Sequence, residues 1–171
     1  TVLASFLLAA CLSMHAEVKL PAIFSDGMVM QQQTNANLWG AATPNKKVTV
    51  TTGWNGKQYA VTADKNGSWK LSVSTPEAGG PYTITFDDGT PKTLNNILIG
   101  ELWLCSGQSN MEMPMKGFKN QPVENANMDI LRSKNPHIRL FTVKRTSTIT
   151  PQNDVVGSWK EAAPVSVRDF S

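Results

Sequence analysis

Near the middle of the chain Ser109 stands in the string Cys105-Ser106-Gly107-Gln108-Ser109-Asn110, just after two nearly continuous apolar runs. These are Ile97-Leu98-Ile99 and Leu102-Trp103-Leu104-Cys105, interrupted by Gly100-Glu101. Such a run fits a strand buried on both faces of an α/β sheet. A strand, then Gly-x-Ser, then a helix lifts a serine hydroxyl out of the backbone at the carboxyl end of a parallel sheet, where open α/β folds bind ligands. Ser109 is therefore the candidate nucleophile. Gly107 is the residue that lets the turn be tight. The amides just after it can donate to an oxyanion, and Gln108 and Asn110 are candidates for oxyanion or substrate contacts. By itself the pattern has a second reading, because strand-Gly-x-Ser turns also serve as ordinary connections.

A serine hydroxyl is a weak nucleophile at neutral pH and needs a base. The chain has two histidines, His15 and His137. His137 lies between Pro136 and Ile138 and reads as a surface residue at a strand edge. Cys105 ends an apolar run and reads as a buried, inert thiol. Asp64, Asn66 and Ser68 have a superficial likeness to a calcium loop. Gly67 is misplaced for one, however, and Thr75 stands where a bidentate acid is needed, so the segment reads as a hairpin turn and no metal site is expected. Glu112, Glu124 and Asp129 follow the candidate nucleophile and read as solvated charges. Trp39 and Trp69 read as core residues, whereas Trp54, beside a turn, is the most exposed of the three.

The elements that position Ser109 divide at about residue 97. Residues 17–97 carry short alternating runs, such as Trp69, Leu71 and Val73, or Tyr82, Ile84 and Phe86, each with its apolar set on one strand face. Asn55-Gly56, Asn66-Gly67 and Asp88-Gly89 supply turn chemistry between them. Together they predict an all-β sandwich, jelly-roll or immunoglobulin-like. Beyond it, Val123 to Lys134 has apolar residues at helical spacing, and the segment from Ile138 to Val143 reads as a strand. The expectation for residues 98–171 is the opening β-α-β of a parallel sheet.

The block from Leu98 to Pro114 closely resembles the nucleophile block of sialate O-acetylesterases and related carbohydrate acetylesterases. Leu20 to Gln32 resembles the start of the same family's mature chain, and Asn37 to Ala42 and Val155 to Trp159 also fit it. The resemblance implies an SGNH hydrolase: residues 98–171 would begin a flavodoxin-like three-layer catalytic domain, truncated, behind a sandwich accessory domain. It further implies a serine esterase in which Ser109 forms an acetyl-enzyme from an O-acetylated sialic acid or related glycan, with no metal or organic cofactor. The family's Asp-x-x-His block has no match here, so this chain alone is expected to be inactive. The alternative is a non-catalytic, surface-anchored carbohydrate-binding sandwich.

With 40% hydrophobic and 17% charged residues, the 171-residue composition is that of a globular chain. Its net charge of +3 comes from 16 basic and 13 acidic residues scattered without runs, which argues against nucleic-acid binding. The apolar stretch Val2 to Leu12 is shorter than the roughly 20 residues of a membrane span and reads as the core of a partial signal peptide over residues 1–16. Leu8-Ala9-Ala10-Cys11 resembles a bacterial lipobox that would put a lipid anchor on Cys11, while Ala16 could end an ordinary leader. Either way the expectation is an exported bacterial protein: periplasmic, extracellular or an outer-surface lipoprotein. Cys105 would then be alone, leaving no disulfide framework.

Overall fold

The computed structural model describes residues 17–171. The expected leader, its lipobox at Cys11 and His15 lie outside the described residues.

The chain from Val29 to Gly100 folds into seven strands: β1 (Val29–Gln31), β2 (Asn35–Ala41), β3 (Lys47–Thr52), β4 (Gln58–Thr62), β5 (Ser68–Ser74), β6 (Gly79–Asp87) and β7 (Lys92–Gly100). Five of them form one mixed sheet in the order β1-β7-β6-β3-β4, while β2 and β5 pair as a separate antiparallel ribbon. Only the β1–β7 pair is parallel, with Val29 opposite Leu98. Register shifts between Gly79 and Tyr82 and between Tyr82 and Ile84 bend the β6–β7 pair, as extra unpaired residues do. The sheet is curled accordingly, as a half-barrel.

Alternation explains which faces meet. Val48 and Val50 of β3, Ile84 and Phe86 of β6, and Trp69 and Val73 of β5 are all buried, and they form one core with Met28, Leu38 and Ile97. Trp69 and Phe86 join ribbon to sheet through tilted rings with centroids 5.9 Å apart. Trp54, expected to be the most exposed of the three tryptophans, is half-buried, as Trp39 is, whereas Trp69 is buried; Trp54 packs edge-on to Tyr82 at 5.9 Å and donates its indole N–H to the Ser74 carbonyl.

Two of the expected hairpins form, at Asn55-Gly56 between the paired strands β3 and β4 and at Asp88-Gly89 between β6 and β7. The turn at Asn66-Gly67 also forms: the Asp64 carboxylate accepts the amides of Asn66 and Ser68, each at 2.8 Å. Gly67 has φ +84° there, and a Cβ would stand 2.4 Å from the Ala42 carbonyl oxygen. The strands that this turn joins do not pair with each other, however, because β5 takes β2 as its partner.

The expected architecture, a sandwich followed by the start of an α/β SGNH domain with a flavodoxin-like parallel sheet, is overturned. The described chain is mostly β, a curled mixed sheet with few helices. β7 ends at Gly100, and Leu102, Trp103 and Leu104 form no strand and are 46%, 82% and 94% exposed. The strand that ends there already spends its apolar residues Leu94, Ile97, Leu98 and Ile99 in the curled sheet, between β6 and β1. Helix α1 is short (Ala126–Arg132), starting only after Asn125 adopts a left-handed φ of 58°. β8 (Asn135–Phe141) then pairs antiparallel with β9 (Trp159–Ala162), so the described residues contain no parallel β-α-β unit. A single-turn helix, α2 (Pro164–Val167), follows.

Candidate functional site

Ser109 is positioned from the end of β7. There the Glu101 carboxylate accepts a hydrogen bond from Gln32 Nε2 at 2.6 Å and one from Gln31 Nε2 at 3.2 Å. Gln31 Oε1 in turn accepts the Leu102 amide at 2.9 Å, and Gln32 Oε1 accepts that of Ala78 at 2.8 Å. Two adjacent glutamines at the end of β1 thus hold the first residues of the segment leading to Ser109.

The two amide donors favour the ionised carboxylate, Gln32 more than Gln31, and lower the Glu101 pKa from its ordinary value. The sign follows directly. A depressed folded-state pKa contributes stability above the unfolded value, and that contribution is lost as pH falls through the folded value. In a carbon-detected NMR titration, Gln32→Ala should move the Glu101 midpoint upward, toward an ordinary glutamate. An unchanged midpoint would show that the tether is not formed in solution.

After an irregular stretch, Ser109–Glu112 make a single 3₁₀ turn in which the Met111 amide donates to the Gln108 carbonyl at 2.9 Å. A Cβ at Gly107 would stand 2.6 Å from Met111 Cγ, so a larger residue there would make the exposed Met111 side chain shift. Gln108, Ser109 and Asn110 are all exposed. At the end of the turn Glu112 pairs with Arg145 at 2.7 Å, an exposed ion pair of little energetic weight.

The structure brings Gly107, Gln108, Ser109 and Asn110 together on one exposed turn. His137, the one histidine among the described residues, lies on β8 and is exposed; its backbone amide donates to Asn135 Oδ1. Cys105, expected to be buried, is exposed because the segment that carries it is not a sheet strand. Among the described residues no group of three or more His, Cys, Asp or Glu side chains could hold a metal ion. None of the described helices is long and apolar enough to cross a membrane.

No family model matches the chain. Curated proteins do. Sialate O-acetylesterase from Mus musculus is 33% identical over 127 residues, covering 68% of this chain and 23% of the relative. The Rattus norvegicus enzyme is 30% identical over 147 residues, covering 78% and 26%. Among solved structures, a carbohydrate acetylesterase from Xanthomonas citri superposes with a TM-score of 0.81 at 30% identity, over 90% of this chain and 34% of that one. The chain belongs to the sialate O-acetylesterase family.

A match over 78% of the chain extends well beyond the Leu98–Pro114 block, so membership in the sialate O-acetylesterase family does not rest on that string alone. Coverage of 90% by the Xanthomonas citri structure likewise makes the curled sheet and its ribbon a shared arrangement. The chain spans about a quarter of the length of the curated sialate O-acetylesterases it matches.

Proposed function

We propose that this chain carries the nucleophile of a carboxylic ester hydrolase that removes O-acetyl groups from sialic acid or a related acetylated glycan. The observation that carries the reading is Ser109, exposed at the head of a 3₁₀ turn in a chain of the sialate O-acetylesterase family.

In this reading Ser109 Oγ attacks the acetyl carbonyl carbon while a general base takes the hydroxyl proton. The carbonyl oxygen becomes an oxyanion, which the Ser109 backbone amide supports, with the Gln108 and Asn110 side chains as further donors. Collapse breaks the ester C–O bond, and the proton passes to the departing sugar oxygen. Water then adds to the acetyl-serine, acetate leaves and the hydroxyl is restored. These steps call for no metal or organic cofactor.

The base is the part this chain does not supply. Neither His15 nor His137 stands in a sequence setting like the family's Asp-x-x-His block, so the chain alone should hydrolyse poorly. The apolar stretch Val2 to Leu12 supports export as the site of action.

A fluorophosphonate probe followed by peptide mass spectrometry tests the assignment. In a form extended to the relatives' full length, the adduct should appear on Ser109 and block acetate release from an O-acetylated sialic acid. Continued acetate release with Ser109 unlabelled would exclude it as the nucleophile.

A further inference from the structure

The turn that carries Ser109 carries a second functional group on the same side. Side chains three residues apart eclipse in a 3₁₀ turn, about 6 Å apart along its axis, and Ser109–Glu112 is one such turn. Ser109 and Glu112 are both exposed, so the hydroxyl and the carboxylate leave the turn in one row. Arg145 continues that row, with Nη1 2.7 Å from Glu112 Oε1.

The pair does not use up the guanidinium. The Arg145 side chain is 87% exposed, and among the described residues Glu112 is its one ion-pair partner. Five N–H donors lie in a planar fork, and a single contact through Nη1 leaves most of them free. An exposed ion pair is weak, so Glu112 orients Arg145 without locking it away from other carboxylates. The backbone is fixed just before it, where the Lys144 amide donates to the Val156 carbonyl at 2.7 Å.

Charge then selects the ligand class. Between Leu140 and Asn153 the charged residues are Lys144 and Arg145, with no acid among them. Glu112 offsets one of these cations, so the face beside Ser109 keeps a net attraction for an anion. The anion that a planar fork fits is a carboxylate, and different edges of one guanidinium can serve two carboxylates at once. Acetyl esters of neutral sugars carry no such group, whereas those of sialic acids do.

We propose that Arg145 is a specificity-determining residue: it binds the carboxylate of an O-acetylated sugar acid whose acetyl group lies at Ser109, so that acidic sugars are deacetylated in preference to neutral ones. The proposal rests on Ser109 as the nucleophile and adds the substrate class.

The test compares acetate release from an O-acetylated sialic acid and from its neutral carboxamide, which differs in the carboxylate alone, by the form extended to the relatives' full length. The ratio of kcat/KM, acid over carboxamide, should be about tenfold in the parent and fall about fivefold to tenfold in Arg145→Ala, chiefly through KM. Arg145→Lys keeps the charge without the fork and should retain part of the ratio. Both variants change an exposed side chain, so their circular dichroism should match the parent's. A parent ratio near one, or an Arg145→Ala ratio equal to the parent's, would overturn the proposal and leave Ser109 in place. Acetate release undiminished in Ser109→Ala would overturn the nucleophile reading and the proposal with it.

Discussion

Phe86→Ala is expected to destabilise the folded chain by about 3–5 kcal/mol, because it deletes a fully buried ring at the junction of sheet and ribbon. Phe86 is 0% exposed and sits mid-sheet, opposite Val50 of β3 on one side and Lys92 of β7 on the other. Its ring also meets that of Trp69, a pairing that adds roughly 0.5–1.5 kcal/mol beyond simple burial. Strands on both sides hold the backbone in place, so the site can collapse only partly and a cavity remains. Domains of this size are stable by roughly 5–15 kcal/mol, which makes the expected loss a large fraction of the whole. Urea unfolding should show a lower midpoint at an unchanged m-value. Ile138→Ala serves as the contrast: Ile138 is 49% exposed, so its truncation should fall within about 0.5 kcal/mol of the parent. Equal losses from the two variants would mean that Phe86 is not in the core.

The same residue shows what the sequence made legible. Tyr82, Ile84 and Phe86 alternate with polar neighbours, and that local period is sufficient to announce a strand and its inward face. The Asn55-Gly56 and Asp88-Gly89 turns announced their hairpins for an equally local reason, namely backbone conformations that few residue types adopt. Pairing across distance was not announced. β5 follows its turn from β4 yet pairs with β2, some thirty residues earlier, and nothing within either strand encodes that choice.

Leu102-Trp103-Leu104 is the instructive misreading. Apolar composition states what a segment would gain from burial, not whether a partner is at hand, and here the run extends from Gly100 without pairing to any described strand. The contacts most relevant to the site were illegible for a related reason. Gln31 and Gln32 meet Glu101 across about seventy residues, and Glu112 meets Arg145 across α1 and β8. Polar side chains bring no periodicity of their own, so only the fold reveals such meetings. The proposal of Ser109 has a different basis, because it rests on the string around that residue rather than on contacts across the fold.

Ser109→Ala is expected to lower kcat for acetate release by about 10³–10⁶-fold, or roughly 4–8 kcal/mol of transition-state stabilisation. The measurement belongs to a form extended to the relatives' full length, with the 171-residue chain assayed beside it. In the proposed mechanism the variant keeps only binding and the oxyanion donors, which would account for the residual rate. KM should change little, because the hydroxyl contributes chemistry rather than most of the ground-state binding. Stability should stay within about 0.5 kcal/mol, since Ser109 is exposed and alanine is tolerated in a short helical turn. A large fall in kcat with unchanged folding therefore separates a chemical role from a structural one. Ser106 supplies the internal control: it is another exposed serine three residues earlier, before the 3₁₀ turn begins. Ser106→Ala should keep nearly full activity. If the effects are reversed, with Ser106 essential and Ser109 dispensable, the nucleophile lies on the irregular stretch after β7 and the 3₁₀ turn is only a connection.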